Sequence, residues 1–172
     1  MLARDRAVLL VIDVQESFRP YPAFARVAAA AAKLVAAARI LALPVLVSEQ
    51  YPKGLGNTAP EVGLQAEPRI EKSVFSAVRA EGFDLAGREQ ALVCGIEAHV
   101  CVSQTVQDLL ERGVEVHVPA DAVGSRHELD YSRGLERLER AGAIITTVEA
   151  ALFELLERAG TPEFKAVQKL IL

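Results

Sequence analysis

Residues 7–13 read Ala-Val-Leu-Leu-Val-Ile-Asp: an unbroken apolar run that stops on a carboxylate. A strand with one wet face alternates apolar and polar residues, and this one does not. It therefore belongs inside a parallel sheet with helices on both faces. Residues 45–48, 91–96, 114–118 and 143–147 repeat the pattern, and 69–71 fits a short strand. Between them, 24–43, 100–112, 129–141 and 149–158 carry helical stripes, with Pro44, Gly113 and Gly142 placed where the first three must stop. This β-α alternation predicts an α/β, three-layer, Rossmann-like architecture. A length of 172 residues fits one domain over 1–172 and buries enough surface to need no disulfide or metal staple.

Composition removes several function classes. The net charge is -4, and basic residues are interleaved with acids, as in Glu136-Arg137-Leu138-Glu139-Arg140, so no basic stripe for nucleic acid is expected. The Ala-rich 27–43 stretch carries Lys33 and Arg39, which excludes a membrane span, and the residues before Asp13 do not suit a signal peptide. Two cysteines make neither a disulfide framework nor a zinc site, so a reducing, cytoplasmic location is expected. Residues 164–172 form an apolar tail that one small core is not expected to absorb, which points to a homo-oligomer.

Residues 49–67 break the rhythm. They carry Pro52, Gly54, Gly56-Asn57 and Pro60, show no period, and read as a long loop after a strand end, where α/β sheets place ligands. Chemistry-bearing residues also stand where strands stop: Asp13, Lys72, and the stretch Gly95-Ile96-Glu97-Ala98-His99-Val100-Cys101. Singly, each has an ordinary reading: a carboxylate on loop amides, a surface ion pair, a small buried hydrophobe. Together they describe an activated nucleophile, because a helix N-terminus and an ammonium both lower a thiol pKa and a carboxylate can carry its proton. Cys94, between Val93 and Gly95 in mid-strand, reads as core.

These motifs resemble the isochorismatase-like hydrolases, a family that includes nicotinamidases and N-carbamoylsarcosine amidases. The carriers are Leu-Val-Ile-Asp13-Val-Gln15-Glu-Ser-Phe18, Ser-Glu-Gln50-Tyr51-Pro-Lys-Gly, Glu71-Lys72-Ser-Val-Phe75 and, most specific, Val-Cys-Gly95-Ile96-Glu97-Ala98-His99-Val-Cys101. The match is closest to the small isochorismatase domain-containing branch. The resemblance implies a six-stranded parallel sheet of order 3-2-1-4-5-6, whose switch point brings Asp13 and Cys101 together. It implies a catalytic triad of Asp13, Lys72 and Cys101. It also implies a cis Ile96–Glu97 peptide and an oxyanion site made from the N–H groups of Glu97 or Ala98 and Cys101. Gln15, Phe18, Gln50, Tyr51, Phe75 and Glu97 become candidates for the substrate pocket.

Two departures narrow the chemistry. Nicotinamidases bind a metal through histidines after the second strand, and the stretch from Glu49 to Lys53 has none, so no metal and no cofactor is expected. Isochorismatase itself lacks the cysteine that is present here as Cys101. The expected function is therefore cysteine-dependent hydrolysis of a small amide, urea, carbamoyl or imide substrate through a thioester. The alternatives are a binding or scaffolding protein with an idle site, and an isochorismatase-type hydrolase that does not use the thiol.

Overall fold

The computed structural model describes the whole chain, Met1–Leu172. Strand β1 (Ala7–Ile12) lies mid-sheet between β2 (Val45–Gln50) and β4 (Gln90–Ile96). Beyond β2 comes β3 (Arg69–Lys72); beyond β4 come β5 (Glu115–Pro119) and β7 (Ile144–Thr146), every pairing parallel. The order is thus 3-2-1-4-5 and then the last strand, as expected. The strand count is seven rather than six. The addition is β6 (Val123–Gly124), which pairs with Gly95 and Ile96 of β4 after β5 has left it at Leu92. Two residues are too few to register as an apolar run.

The apolar runs are explained by what covers each face. Ala7, Leu9 and Val11 point into a cluster of 31 buried residues shared with helices α1 (Phe24–Leu41), α5 (Val148–Leu156) and α6 (Pro162–Ile171). Val8, Leu10 and Ile12 point the other way, into a cluster of 20 under α3 (Cys101–Glu111) and α4 (Glu128–Ala141). Each buried Val, Leu or Ile contributes about 1.5–3 kcal/mol, set against the entropy of ordering it.

Three local expectations need correction. Helix α1 ends at Leu41, two residues early, because Ala42 turns left-handed (φ 54°) and the chain then buries Leu43. The 49–67 stretch is not structureless: β2 runs on to Gln50, followed by the short α2 (Pro52–Leu55) and a 3-10 turn at Pro60–Val62. Each of these begins on proline, whose fixed φ suits a first turn, and Ala59 and Val62 are buried in the core. Finally, the apolar tail is absorbed. It forms α6, capped by Thr161 Oγ1, which accepts the Phe164 N–H at 3.0 Å; Val167 is fully buried and the Phe164 ring packs edge-on against Phe153. That tail no longer argues for oligomerisation.

Candidate active site

The switch point sets the site. Strands β1 and β4 are neighbours, with Ile12 opposite Gly95. Gly95 has φ 141°, and a Cβ there would lie 2.0 Å from the Ile12 carbonyl oxygen, so only glycine lets the two strand ends approach this closely. The residue just past β1, Asp13, adopts φ 52°, a left-handed conformation that Asp tolerates better than branched residues. Its carboxylate is thereby turned to the carboxyl edge of the sheet and is wholly buried.

Two strands supply its partners. Ser48 on β2 donates from Oγ to Asp13 Oδ1 at 2.7 Å, and Lys72 at the end of β3 donates from Nζ to Oδ2 at 2.7 Å. Both side chains of the ion pair have zero exposure. The lysine's remaining donors are satisfied by Gln50 Oε1 at 2.6 Å and the Phe75 carbonyl at 2.9 Å. A buried ion pair needs such satisfaction to offset its desolvation.

Cys101, the first residue of α3, reaches the same place, where the charges of Asp13 and Lys72 both bear on its thiol. The side chain is 7% exposed. Its protonation differs from the expectation. Burial, reinforced by the Asp13 charge, pushes the thiol up to about 12, and Lys72 only partly opposes this. Desolvation thus outweighs the neighbouring ammonium at this thiol. Cys94 is likewise held at about 12, by burial alone.

The turn between β4 and α3 presents backbone donors. The Ile96–Glu97 peptide is cis. The Ala98 N–H is already committed to the Gly124 carbonyl at 2.8 Å, which removes it from the oxyanion candidates. The N–H groups of Glu97 and Cys101 donate no backbone hydrogen bond. His99 Nδ1 lies 3.0 Å from Ser125 Oγ, tying the turn to the segment after β6.

The pocket candidates divide. Gln15 offers the cleft no surface: it is fully buried, its Nε2 donates to the carbonyls of Gln50 (2.9 Å) and Gly56 (2.6 Å), and its Oε1 accepts the Gln50 N–H (2.7 Å). Phe18 is a core residue against Tyr21. Gln50 holds Lys72 and the Ser73 carbonyl. Tyr51 and Phe75 are exposed at the strand ends, and Glu97 is half-buried, its side chain without a hydrogen-bond or ion-pair partner. Ser48 was not anticipated, although its place at the end of an apolar strand was the available signal.

A cavity of about 260 Å³ opens beside Lys72, between Tyr51, Lys53, Glu71 and Ser73. A separate one of about 300 Å³ between α1, α5 and α6 holds none of these groups. No three His, Cys, Asp or Glu side chains gather to hold a metal ion. His117 is buried in β5 against Glu115.

Residues 7–150 match the model of the isochorismatase domain. The chain is 42% identical over 171 residues to isochorismatase domain-containing protein 2A of Mus musculus, spanning 97% of this chain and 83% of that one. It is 42% identical over 169 residues to the Homo sapiens isochorismatase domain-containing protein 2, spanning 96% and 82%. A Caenorhabditis elegans structure described as MAR1 ribonuclease superposes with TM-score 0.92 at 41% identity, covering 99% of this chain and 91% of that one. The fold is shared with the Escherichia coli YcaC gene product, described as an octameric hydrolase of unknown specificity (TM-score 0.87, 22% identity, 99% and 88% covered). With its sheet order, its strand-end residues and these matches in agreement, the chain belongs to the isochorismatase-domain family.

Proposed function

We propose that this protein is a cysteine hydrolase of a small amide, urea, carbamoyl or imide substrate. The observation that carries the reading is the fully buried Asp13–Lys72 pair, 2.7 Å apart, acting on the Cys101 thiol. A carboxylate beside a thiol is placed to take its proton.

Cys101 Sγ attacks the carbonyl carbon as its proton passes to Asp13, and the carbonyl electrons move onto oxygen. Among the unbonded N–H groups of the turn, those of Glu97 and Cys101 flank the nucleophile's loop and receive that oxyanion. Collapse expels the amine, which takes the proton from Asp13, and a thioester remains. Water then attacks the thioester with Asp13 again as base, releasing the acid and the thiol. Lys72 stays hydrogen-bonded to Asp13 Oδ2 and fixes where that carboxyl group points. Tyr51, Phe75 and the unpartnered Glu97 are the side chains available to select substrate, and Glu97 favours one with a hydrogen-bond donor.

The ribonuclease description of the nematode relative supplies a rival substrate. Against it stand the net charge of -4 and a site whose lysine is sealed from solvent. The test is an ammonia-release screen of amides, ureas, carbamoyl compounds and cyclic imides, beside an RNA oligonucleotide arm. Turnover lost in Cys101→Ala and kept after chelator treatment is expected. Full activity in Cys101→Ala favours thiol-independent hydrolysis, and RNA cleavage without ammonia release sinks the carbonyl reading. If no substrate turns over and Cys101 resists acylation, the idle-site binding protein is the better account.

A further inference from the structure

Helix α4 carries a glycine in its interior, where glycine is a poor helix former. Gly134 and Leu138, one turn apart, are its two buried residues. A Cβ on Gly134 would lie 3.1 Å from the Ala98 carbonyl carbon, 3.2 Å from its oxygen and 3.2 Å from the His99 nitrogen. Those neighbours are backbone, which cannot swing aside as a side chain can. The helix therefore lies directly on the peptide linking Ala98 to His99, midway between Glu97 and Cys101.

The same turn is held on its other side by β6 and the residue after it. The Ala98 N–H bonds to the Gly124 carbonyl at 2.8 Å, and His99 Nδ1 meets Ser125 Oγ at 3.0 Å. Within the turn, the Glu97 carbonyl accepts both Val100 N–H (3.1 Å) and Val102 N–H (3.2 Å). It is thus clamped between β6 and α4, with the N–H groups of Glu97, His99 and Cys101 left unbonded and the His99 one lying under α4, and α4 closes the clamp only because residue 134 has no side chain.

We infer that Gly134 is a positioning residue: by letting α4 rest on the Ala98–His99 peptide, it sets where the Glu97 and Cys101 N–H groups point. This rests on the reading of Cys101 as the nucleophile. Its signature is selectivity between two reactions of one thiol. Acylation by p-nitrophenyl acetate forms a thioester on Cys101, sends the thiol proton to Asp13, expels p-nitrophenolate and passes through an oxyanion. Alkylation by iodoacetamide displaces iodide at a saturated carbon and needs no oxyanion donor.

Both rates are read at Cys101 by intact mass and peptide mapping. In Gly134→Ala, acylation should fall about tenfold or more, part of the roughly 10²–10³-fold that outright loss of one oxyanion donor costs, while alkylation changes less than about threefold. Ser132→Ala, an exposed change on the same helix, should leave both rates alone. Unchanged acylation in Gly134→Ala overturns the inference, and so does an equal fall in both reactions, which would mean that the contact merely holds the fold. If Gly134→Ala does not fold, Leu138→Val loosens the same seat one turn away; a selective fall in acylation is again expected, and equal rates overturn. Wild-type protein in which neither reagent marks Cys101 ends the proposed function itself, and the inference with it.

Discussion

Removing the charge of Asp13 should pull labelling and turnover apart. The Asp13 carboxylate raises the Cys101 pKa and Lys72 lowers it. Asp13→Asn is therefore expected to speed iodoacetamide labelling of Cys101 at fixed pH while abolishing turnover, and Lys72→Met to slow both. Slower labelling in Asp13→Asn, followed by mass spectrometry, would show that the carboxylate activates the thiol at rest. Cys94, with no exposure, should label last. Both thiols are raised in the folded chain from 9.0 to about 12, so the stability they contribute is full below pH 9 and lost as pH climbs towards 12. Cys94→Ala should flatten urea-measured stability across that window. At this scale the meeting of Asp13 and Lys72 was legible, because polar residues that end apolar strands in a parallel sheet have few places to be. The protonation of Cys101 was not, since it depends on burial and on a charge brought from a distant strand. Gln15 was misread for a related reason: one residue past a strand end, a cleft-facing amide and a loop clamp look alike.

Elements were legible where period and length agreed. The strands around β1 and the helices α3 and α4 emerged close to their bounds, because both faces of the sheet impose long apolar stripes. Helix α6 was missed although Phe164, Val167 and Ile171 follow helical spacing; the segment was read only as an apolar tail. The segment after β2 hid a different device. Gln15 joins the β1 edge to the backbone of Gln50 and Gly56 through three hydrogen bonds, two of them buried, and Glu49 Oε1 accepts both the N–H and the hydroxyl of Thr58 at 2.7 Å. Gln15→Ala is expected to destabilise the protein by about 2–3 kcal/mol by stranding these groups, seen as a lower urea midpoint at unchanged slope. A change below about 0.5 kcal/mol would mean that water replaces the amide freely.

For the whole molecule, the sheet order followed from β-α alternation plus the family resemblance, while the seventh strand needed coordinates. A homo-oligomer, dimer or larger, remains the expectation at micromolar concentration by light scattering, now on different grounds. With the tail packed away, exposed apolar side chains remain at the strand ends, where Tyr51, Val74 and Phe75 stand 59%, 41% and 51% exposed. Phe75→Glu should shift the assembly towards monomer, and a wild-type monomer would refute the expectation. The buried Asp13–Lys72 pair carries a consequence on an evolutionary timescale. Losing one partner strands a charge at a cost of about 3–5 kcal/mol, a large share of the roughly 5–15 kcal/mol that holds a typical domain together. A lineage released from selection on turnover would still be held to both residues by selection on folding, and could abandon them only by exchanging the pair together. Cys101 is under no such bond, since a thiol resting neutral can become alanine or serine at little cost. Decay in descendants of this chain should therefore begin at the nucleophile and leave the ion pair behind as its trace.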